Sequence, residues 1–533
     1  MNPVAEKLGV LGLPAPVSEL AARDWDVVVV GGGHNGLTAA AYLAKAGKSV
    51  LVLERAERVG GACTLERPFA DQDFVVSPCA YVVGLLDEVV ISELGLRGRG
   101  YKVTVGDPEM FVPLGDGNAF VEYVDDERTA AGLREIGVCD ADVAGFFDYR
   151  ETFDRARRKL REGARDSWVG DSPSRAEIEE MLGEEELVHL VFEASIAEML
   201  ESKMSDTRLH DAMSPQGLIC AYGGPRTPGT ALIHLMHHLG QLEDHGSSWG
   251  YVAGGIGMVS FAIADAAIEA GAQIACGTEV GAIVPGEGVE LAGGTLIRAR
   301  DVICNADPKV AMRLLEGQGV PEDFAERLGA WKVRSPTMKL NAALSDLPRW
   351  TAAGDETWPA NGTINVTAGM DACQDAFEAC ERGESQLGFV EIYCQTAADP
   401  SPAPEGKHLI SAFCQYAPYE RADGPWDDAK RERAAAEVIR AVEEHAPGFA
   451  DLIEHHELLA PPDIERKIGL TGGHIFQGEC FPDQMWDRRL ASRTPVPNLY
   501  LCGAATHPGG SVIALNGRNA ASALLADRGE PAL

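Results

Sequence analysis

Residues 26–61 read DVVVVGGGHNGLTAAAYLAKAGKSVLVLERAERVGG. The apolar run from Val27 to Val30 has the unbroken character of a parallel strand covered on both faces. Gly31, Gly33 and Gly36 then space out G-x-G-x-x-G at the turn from strand to helix. Small residues there permit a tight turn, let a pyrophosphate come close to the backbone, and bring helix against sheet. A helix rich in Ala and Leu is predicted to follow and to stop at Gly47, a residue suited to ending helices. A second apolar strand, 49–53, delivers Glu54 at the roughly 20-residue spacing where an acid holds a ribose hydroxyl. Strand, turn, helix, strand and acid, in that order, predict a dinucleotide-binding βαβ unit.

Outward from this unit the chain changes character several times. Gly60 and Gly61 permit close backbone approach to a diphosphate or a flavin ring. Alternation across 102–123, broken by Pro113, Gly115, Asp116 and Gly117, predicts a hairpin. From about 127 to 242 helical periodicity takes over, with a capping box at Ser174 and Glu177 opening a helix that carries Ile178, Met181 and Leu182 on one face. Residues 251–310 return to an α/β pattern, with a helix ending at Gly271 and short strands at 273–276 and 279–284. Gly255-Ile-Gly257 is not read as a second fingerprint, because no buried strand is predicted to lead into it and the third glycine is missing. From 337 to about 459 strand-like runs dominate, interrupted by one charged, Ala-rich helix near 427–444. That pattern predicts an antiparallel sheet, a second architecture beside the first. The tail from Asn498 gives a short strand, Gly503, a Pro508-Gly509-Gly510 loop and a closing helix.

Bulk properties exclude several functions. The 46 Lys and Arg stand against 81 Asp and Glu, a net charge of −35. Such a field disfavours nucleic acid and anionic membrane surfaces as partners. The local basic run from Arg155 to Arg161 offers an anchor for anionic lipid on one reading. The reading adopted is a solvated helix face neutralised by acids such as Glu184 to Glu186. Twelve cysteines are scattered without C-x-x-C or zinc spacing, so buried thiols are expected and no metal site is predicted. His234, His237 and His238 fall at helical spacing without a supporting carboxylate and are read as packing and surface residues. Residues 1–23 lack the features of a secretory or transit leader, and no apolar run of about 18 residues predicts a membrane span. The expected location is cytoplasmic, and a homo-oligomer stays open.

The opening stretch does not stand alone. LERAERVGGA from Leu53, VICNADP from Val302, GGHIFQGE from Gly472 and LYLCGAATHPGGSVIALNGRNAA from Leu499 accompany it. Together these motifs resemble the FAD-dependent phytoene desaturase-like oxidoreductases, within the glutathione-reductase/amine-oxidase type of flavoprotein fold. His34-Asn35 and the 516–520 stretch resemble the branch containing pyridine nucleotide-disulphide oxidoreductase domain-containing protein 2. The resemblance implies an α/β plus α+β chain: a Rossmann-like FAD-binding domain with an inserted substrate domain of helices and antiparallel sheet. The FAD domain is then expected in three pieces, 24–105, 251–330 and 481–533. The substrate domain takes a helical part, 106–250, and a sheet part, 331–480. By the same likeness Gly31, Gly33 and Gly36, with His34 and Asn35, take the pyrophosphate. Glu54 takes the AMP ribose, with Arg55 beside it. Gly60, Gly61 and Ala62 lie near the diphosphate and flavin, and the Val280 backbone meets adenine. Gly503, Pro508, Gly509, Gly510 and Val512 lie on the isoalloxazine side.

One departure bears on the chemistry. Cys63 follows Gly60-Gly61 without a second nearby cysteine, and no second fingerprint is present. Disulphide reduction driven by NAD(P)H is therefore not expected. Electrons are expected to leave a small apolar organic substrate for flavin N5 and pass on to oxygen or a quinone. Dehydrogenation of a C–C bond also releases a proton, and His474, Glu479 and His507 are the motif-borne acceptors. Two alternatives are a flavin amine oxidase and a non-catalytic protein of the Rab-escort and dissociation-inhibitor type. Glu54 and the complete tail motif argue against the second.

Overall fold

The computed structural model describes residues 2–69, 73–531 and 533. Among them the strands form two seven-stranded sheets and a two-stranded ribbon. The first sheet is built around Trp25–Val30, whose four consecutive valines are buried, as a strand covered on both faces requires. It pairs in parallel with Val50–Leu53 on one side and Leu296–Cys304 on the other, in the registers Val28↔Leu51 and Val28↔Val302. Gln273–Ala275 and Leu499–Leu501 extend the parallel order outward. Three distant stretches of chain thus share one sheet. Gly288–Leu291 and Val280–Val284 continue it as an antiparallel meander from the start of Leu296–Cys304.

The helix His34–Lys45 begins at the expected turn and packs against Gly257–Glu269 and Leu515–Asp527. Its approach to the last of these is close: a Cβ on Gly517 would collide with the carbonyl of Asn35. Small residues on both helices permit this contact at the point where the first strand opens.

The second sheet runs Ile453–Leu459, Thr337–Leu344, His408–Gln415, Phe389–Tyr393, Thr363–Thr367, Met110–Pro113, Ala119–Glu122. The expected hairpin forms from the last two strands, Met110 pairing Glu122. Side chains on a strand alternate between faces. Leu340, Ala342, Val390, Ile392 and Ala412 therefore share one face with Ala434, Ala435, Val438 and Val442 of the helix Asp428–Glu443. The intervening positions, Lys339, Phe413 and Glu391, fall opposite one another in a row across three strands. A parallel row joins Tyr393, Thr363, Met110 and Glu122.

Helices Asp140–Arg161, Glu185–Phe192, Ile196–Lys203 and Thr230–His238 pack together beside this sheet. The basic run is neutralised as expected. Arg155 and Lys159 meet Glu184, Arg155 also meets Glu186, and Arg158 meets Glu151 and Asp154. One expectation is corrected: a short buried strand, Gly250–Val252, does lead into Gly255-Ile-Gly257. It pairs antiparallel with Val103–Val105, away from the parallel sheet. Cβ atoms on Gly255 or Gly257 would meet Leu65 and Thr64, so these glycines serve chain packing and not a second dinucleotide. Among the described residues no helix is long and apolar enough to cross a membrane.

Candidate functional site

One cavity of about 1410 Å³ joins the opening turn to the second sheet. At its first end it is lined by Gly31, Gly33, His34, Asn35 and Glu54. The first backbone bond of the helix runs from the Leu37 N–H to the Gly33 carbonyl at 2.9 Å. The N–H groups ahead of it belong to the unsatisfied first turn, where the helix dipole favours an anion. His34 Nε2 and Asn35 Oδ1 are buried there without a hydrogen-bond partner among the described residues. A Cβ on Gly36 would collide with the Gly31 carbonyl, so glycine is required where strand turns into helix. Glu54 Oε2 accepts from the Gly32 N–H at 2.7 Å and Oε1 from the Ala56 N–H at 2.8 Å. Each carboxylate oxygen keeps a further lone pair, and Glu54 faces the cavity. Orphaned polar atoms, a glycine cradle and a braced carboxylate fit a diphosphate dinucleotide. Burial pushes the His34 imidazole down to about 4, so it meets that group neutral.

The other expected cofactor contacts divide into two sets. Arg55, Gly60, Gly61, Ala62, Val280 and Val512 line the same cavity. Gly36, Gly503, Pro508, Gly509 and Gly510 are not among its lining residues. A Cβ on Gly510 would strike Phe476 and one on Gly503 would strike Gln477. These glycines hold the tail close to the GGHIFQGE segment, whose Ile475, Phe476 and Gln477 do reach the cavity.

None of the three motif-borne proton acceptors is among the residues that line the cavity. Glu479 is locked to Arg334 by bonds of 2.6 and 3.0 Å. His474 Nδ1 accepts from the Phe476 N–H at 3.2 Å, and burial together with Arg489 and Arg334 pushes its imidazole down to about 3. His507 is buried, and burial with nearby Arg489 pushes it down to about 3 as well. All three shape the loops that carry Phe476 and Ala504 and stand back from the cavity themselves.

Two titratable groups that do face the cavity, Lys339 and Glu391, come from the second sheet. Lys339 Nζ donates to the carbonyls of Ser77 at 2.9 Å and Cys79 at 2.5 Å, and lies 4.5 Å from the Tyr81 ring centroid. Burial pushes its amine down to about 7. Tyr81 and Tyr393 pack with centroids 4.6 Å apart. Glu391 accepts from Gln216 Nε2 at 3.1 Å, and burial pushes its carboxyl up. Motif reading missed Lys339 and Glu391. A signal existed: each is the lone charged residue inside a strand that is otherwise apolar or small, TMKLNAAL and FVEIY.

His234, His237 and His238 pack as rings, His234 on Phe153 and His237 against Phe476. They line the cavity from the helix Thr230–His238, and His234 and His237 are buried. Burial pushes His237 and His238 down to about 4 and His234 well below its ordinary value. Near them Arg150 pairs with Glu122 at 3.2 Å and Asp126 at 2.6 Å. Burial, with Glu109 and Asp126 nearby, pushes the Glu122 carboxyl up against the pull of Arg150. All twelve cysteines are free and only Cys139 is exposed. Cys63 Sγ donates to the Ile256 carbonyl at 3.2 Å, and burial pushes the thiol up to about 11, so it rests as an inert core group. Among the described residues no group of three or more His, Cys, Asp or Glu is placed to hold a metal ion.

Comparison with known proteins adds three kinds of likeness. Residues 29–83 match the NAD(P)-binding Rossmann-like domain, and residues 142–525 match the family of flavin containing amine oxidoreductases. Pyridine nucleotide-disulfide oxidoreductase domain-containing protein 2 of Mus musculus is 31% identical over 550 residues, covering 95% of this chain and 94% of its own. One of the limonene dehydrogenase subunits of Castellaniella defragrans is 27% identical over 545 residues, covering 95% of each chain. The solved structure of cyclohexylamine oxidase from Brevibacterium oxydans IH-35A shares the fold with a TM-score of 0.58 at 17% identity, over 95% of this chain and 100% of that one.

Proposed function

Because the chain belongs to the flavin containing amine oxidoreductase family and is an FAD-dependent oxidoreductase, we propose that it dehydrogenates a largely apolar organic substrate and passes the electrons to oxygen or a quinone. The observation that carries this reading is continuity: the cavity that begins at the dinucleotide turn runs on to Lys339, Tyr81, Tyr393 and Glu391. The name of the limonene dehydrogenase relative supports a hydrocarbon-like substrate. In this reading residues 24–105, 251–330 and 481–533 hold the cofactor, and 106–250 with 331–480 hold the substrate. Gly31, Gly33, His34, Asn35 and Glu54 would hold FAD by its diphosphate and ribose. Bound FAD supplies a hydride acceptor.

The chain's own residues supply orientation and proton handling. The paired rings of Tyr81 and Tyr393, tilted 33° to one another, offer an aromatic wall on which an unsaturated substrate can lie. Phe413, Met213 and Ile219 are apolar residues that line the same cavity. When two C–H bonds on neighbouring carbons give way to C=C, the carbon that loses no hydride loses a proton. Glu391, held toward the chamber by Gln216, is the carboxylate placed to take it. Lys339 stands in the same cross-strand row, on the far side of Phe413. With its amine near 7, it exchanges a proton at neutral pH.

Flavin amine oxidation is the second reading, favoured by the Tyr81–Tyr393 wall. Anaerobic titration of the yellow holoprotein separates the two. Bleaching of the flavin band by unsaturated terpene hydrocarbons is expected. Bleaching by primary amines alone would replace the dehydrogenase reading with the second one. Mixing reduced enzyme with oxygen or a soluble quinone then identifies the acceptor.

A further inference from the structure

We propose that the part of the cavity at Tyr149 and His234 is a recognition subsite for a neutral hydroxyl group at the end of the substrate remote from the reacting carbons. This inference deepens the dehydrogenase reading and rests on it. Both side chains line the cavity, Tyr149 from Asp140–Arg161 and His234 from Thr230–His238. Both are more than nine-tenths buried, at 0% and 3% exposure. The Tyr149 hydroxyl and His234 Nδ1 have no hydrogen-bond partner among the described residues. Their rings lie 5.6 Å apart, and Phe153 fixes both, with centroids 4.8 Å from Tyr149 and 4.4 Å from His234. Two polar groups buried side by side and left unsatisfied cost stability, a cost that a ligand hydroxyl placed between them offsets.

The chemistry of that group follows from what surrounds it. A neutral imidazole offers one N–H and one lone pair, and a phenol offers both functions. Burial keeps His234 neutral. A hydroxyl both donates and accepts, and so can satisfy both residues at once, whereas a hydrocarbon satisfies neither and an ether only accepts. A carboxylate is disfavoured by the neighbouring acids: Glu122 borders Tyr149, Glu109 takes the Ser248 hydroxyl, and Arg150 is already taken by Glu122 and Asp126. The position within the cavity follows from the sheet. Tyr393, Thr363, Met110 and Glu122 stand in one cross-strand row. Three strand spacings separate its ends, roughly 14 Å. The hydroxyl is thus recognised well away from the Tyr81–Tyr393 wall, with Met110 in the row between them. The substrate class is an apolar body carrying one terminal alcohol.

Binding to the holoenzyme, read by calorimetry, tests this without turnover. The probes are cyclohexylmethanol, its methyl ether and methylcyclohexane. The alcohol is expected to bind at least about tenfold tighter than the hydrocarbon, with the ether between them, as one or two net hydrogen bonds allow. Tyr149→Phe and His234→Leu, each shown by FAD content and melting temperature to be folded, are expected to erase most of that preference. Equal binding of the three probes, absence of binding by all of them, or a preference that survives both variants would overturn the subsite. Tighter binding of cyclohexylmethylamine that depends on the same two residues would also overturn it, in favour of an ammonium group. A clear alcohol preference in a protein that no hydrocarbon reduces would sink the dehydrogenase reading and leave the subsite standing.

Discussion

Glu54 serves two ends at once, bracing the N–H groups of Gly32 and Ala56 while presenting spare lone pairs to the cavity. Replacing it by Gln keeps the shape and removes the charge. Charge-assisted bonds are worth roughly 1.5–3 kcal/mol each, so Glu54→Gln is expected to fold and to bind FAD about 10- to 100-fold more weakly. Flavin retained after gel filtration and titrated back would check this; unchanged affinity would refute the ribose assignment. Lys339 allows a second test, with the sign fixed by linkage. Its amine sits near 7 in the fold against an ordinary 10.5. Below pH 7 it is charged in both states, and folding bears the full cost of burying an ammonium. Between about 7 and 10.5 the unfolded chain binds the extra proton, so stability from this group rises with pH. Wild type is therefore expected to gain on Lys339→Met in urea unfolding as pH rises from 7 to 10. A constant difference would show that burial does not govern this amine. Neither role of Lys339 was visible in a motif, because one lysine in a strand has no spacing partner to flag it.

Elements were legible where their signals are short-ranged. Val27–Val30, the glycine turn, the helix through Lys45 and the strand to Leu53 all lie where their periodicity puts them. So do the hairpin of 110–122 and the closing helix Leu515–Asp527. The strand Gly250–Val252 escaped because three residues carry no period, and its partner Val103–Val105 lies about 150 positions earlier. Helix packing hides in the same way. Gly517 reads as an ordinary helical glycine, yet a Cβ there would strike the Asn35 carbonyl and force apart the two helices that frame the dinucleotide turn. Gly517→Ala removes an entropic cost of glycine in a helix, worth about 1 kcal/mol, but overpacking costs typically 1–3 kcal/mol. Net destabilisation with weakened FAD binding is expected, measured by urea unfolding and flavin titration. A more stable variant with unchanged FAD affinity would show that the helices have room to separate.

For the whole molecule, cofactor and fold are linked, because the parallel sheet that carries the dinucleotide turn joins three stretches of chain that meet only in the folded state. A ligand that binds only the folded state stabilises it by about 2.7 kcal/mol at 100 times its Kd. Adding FAD to apoprotein is expected to raise the melting temperature by several degrees, and Glu54→Gln should show a smaller rise at equal FAD. Equal rises would mean the ribose carboxylate contributes nothing to holding the domain together. The sequence by itself determined a dinucleotide site, since glycine spacing, an apolar strand and an acid roughly twenty residues on are local statements about one turn, and the accompanying motifs, by their resemblance, pointed to FAD and the family. It also determined that Cys63 has no partner thiol in reach along the chain. Only the tertiary structure decided which groups meet the substrate. It set His474, Glu479 and His507, which sit in motifs, outside the lining of the cavity. It brought Lys339, Glu391, Tyr149 and His234 to one cavity from four different elements and more than two hundred positions. The reason is physical: a turn is fixed by its own residues, whereas the lining of a cavity is fixed by strand register and by which helices close over it.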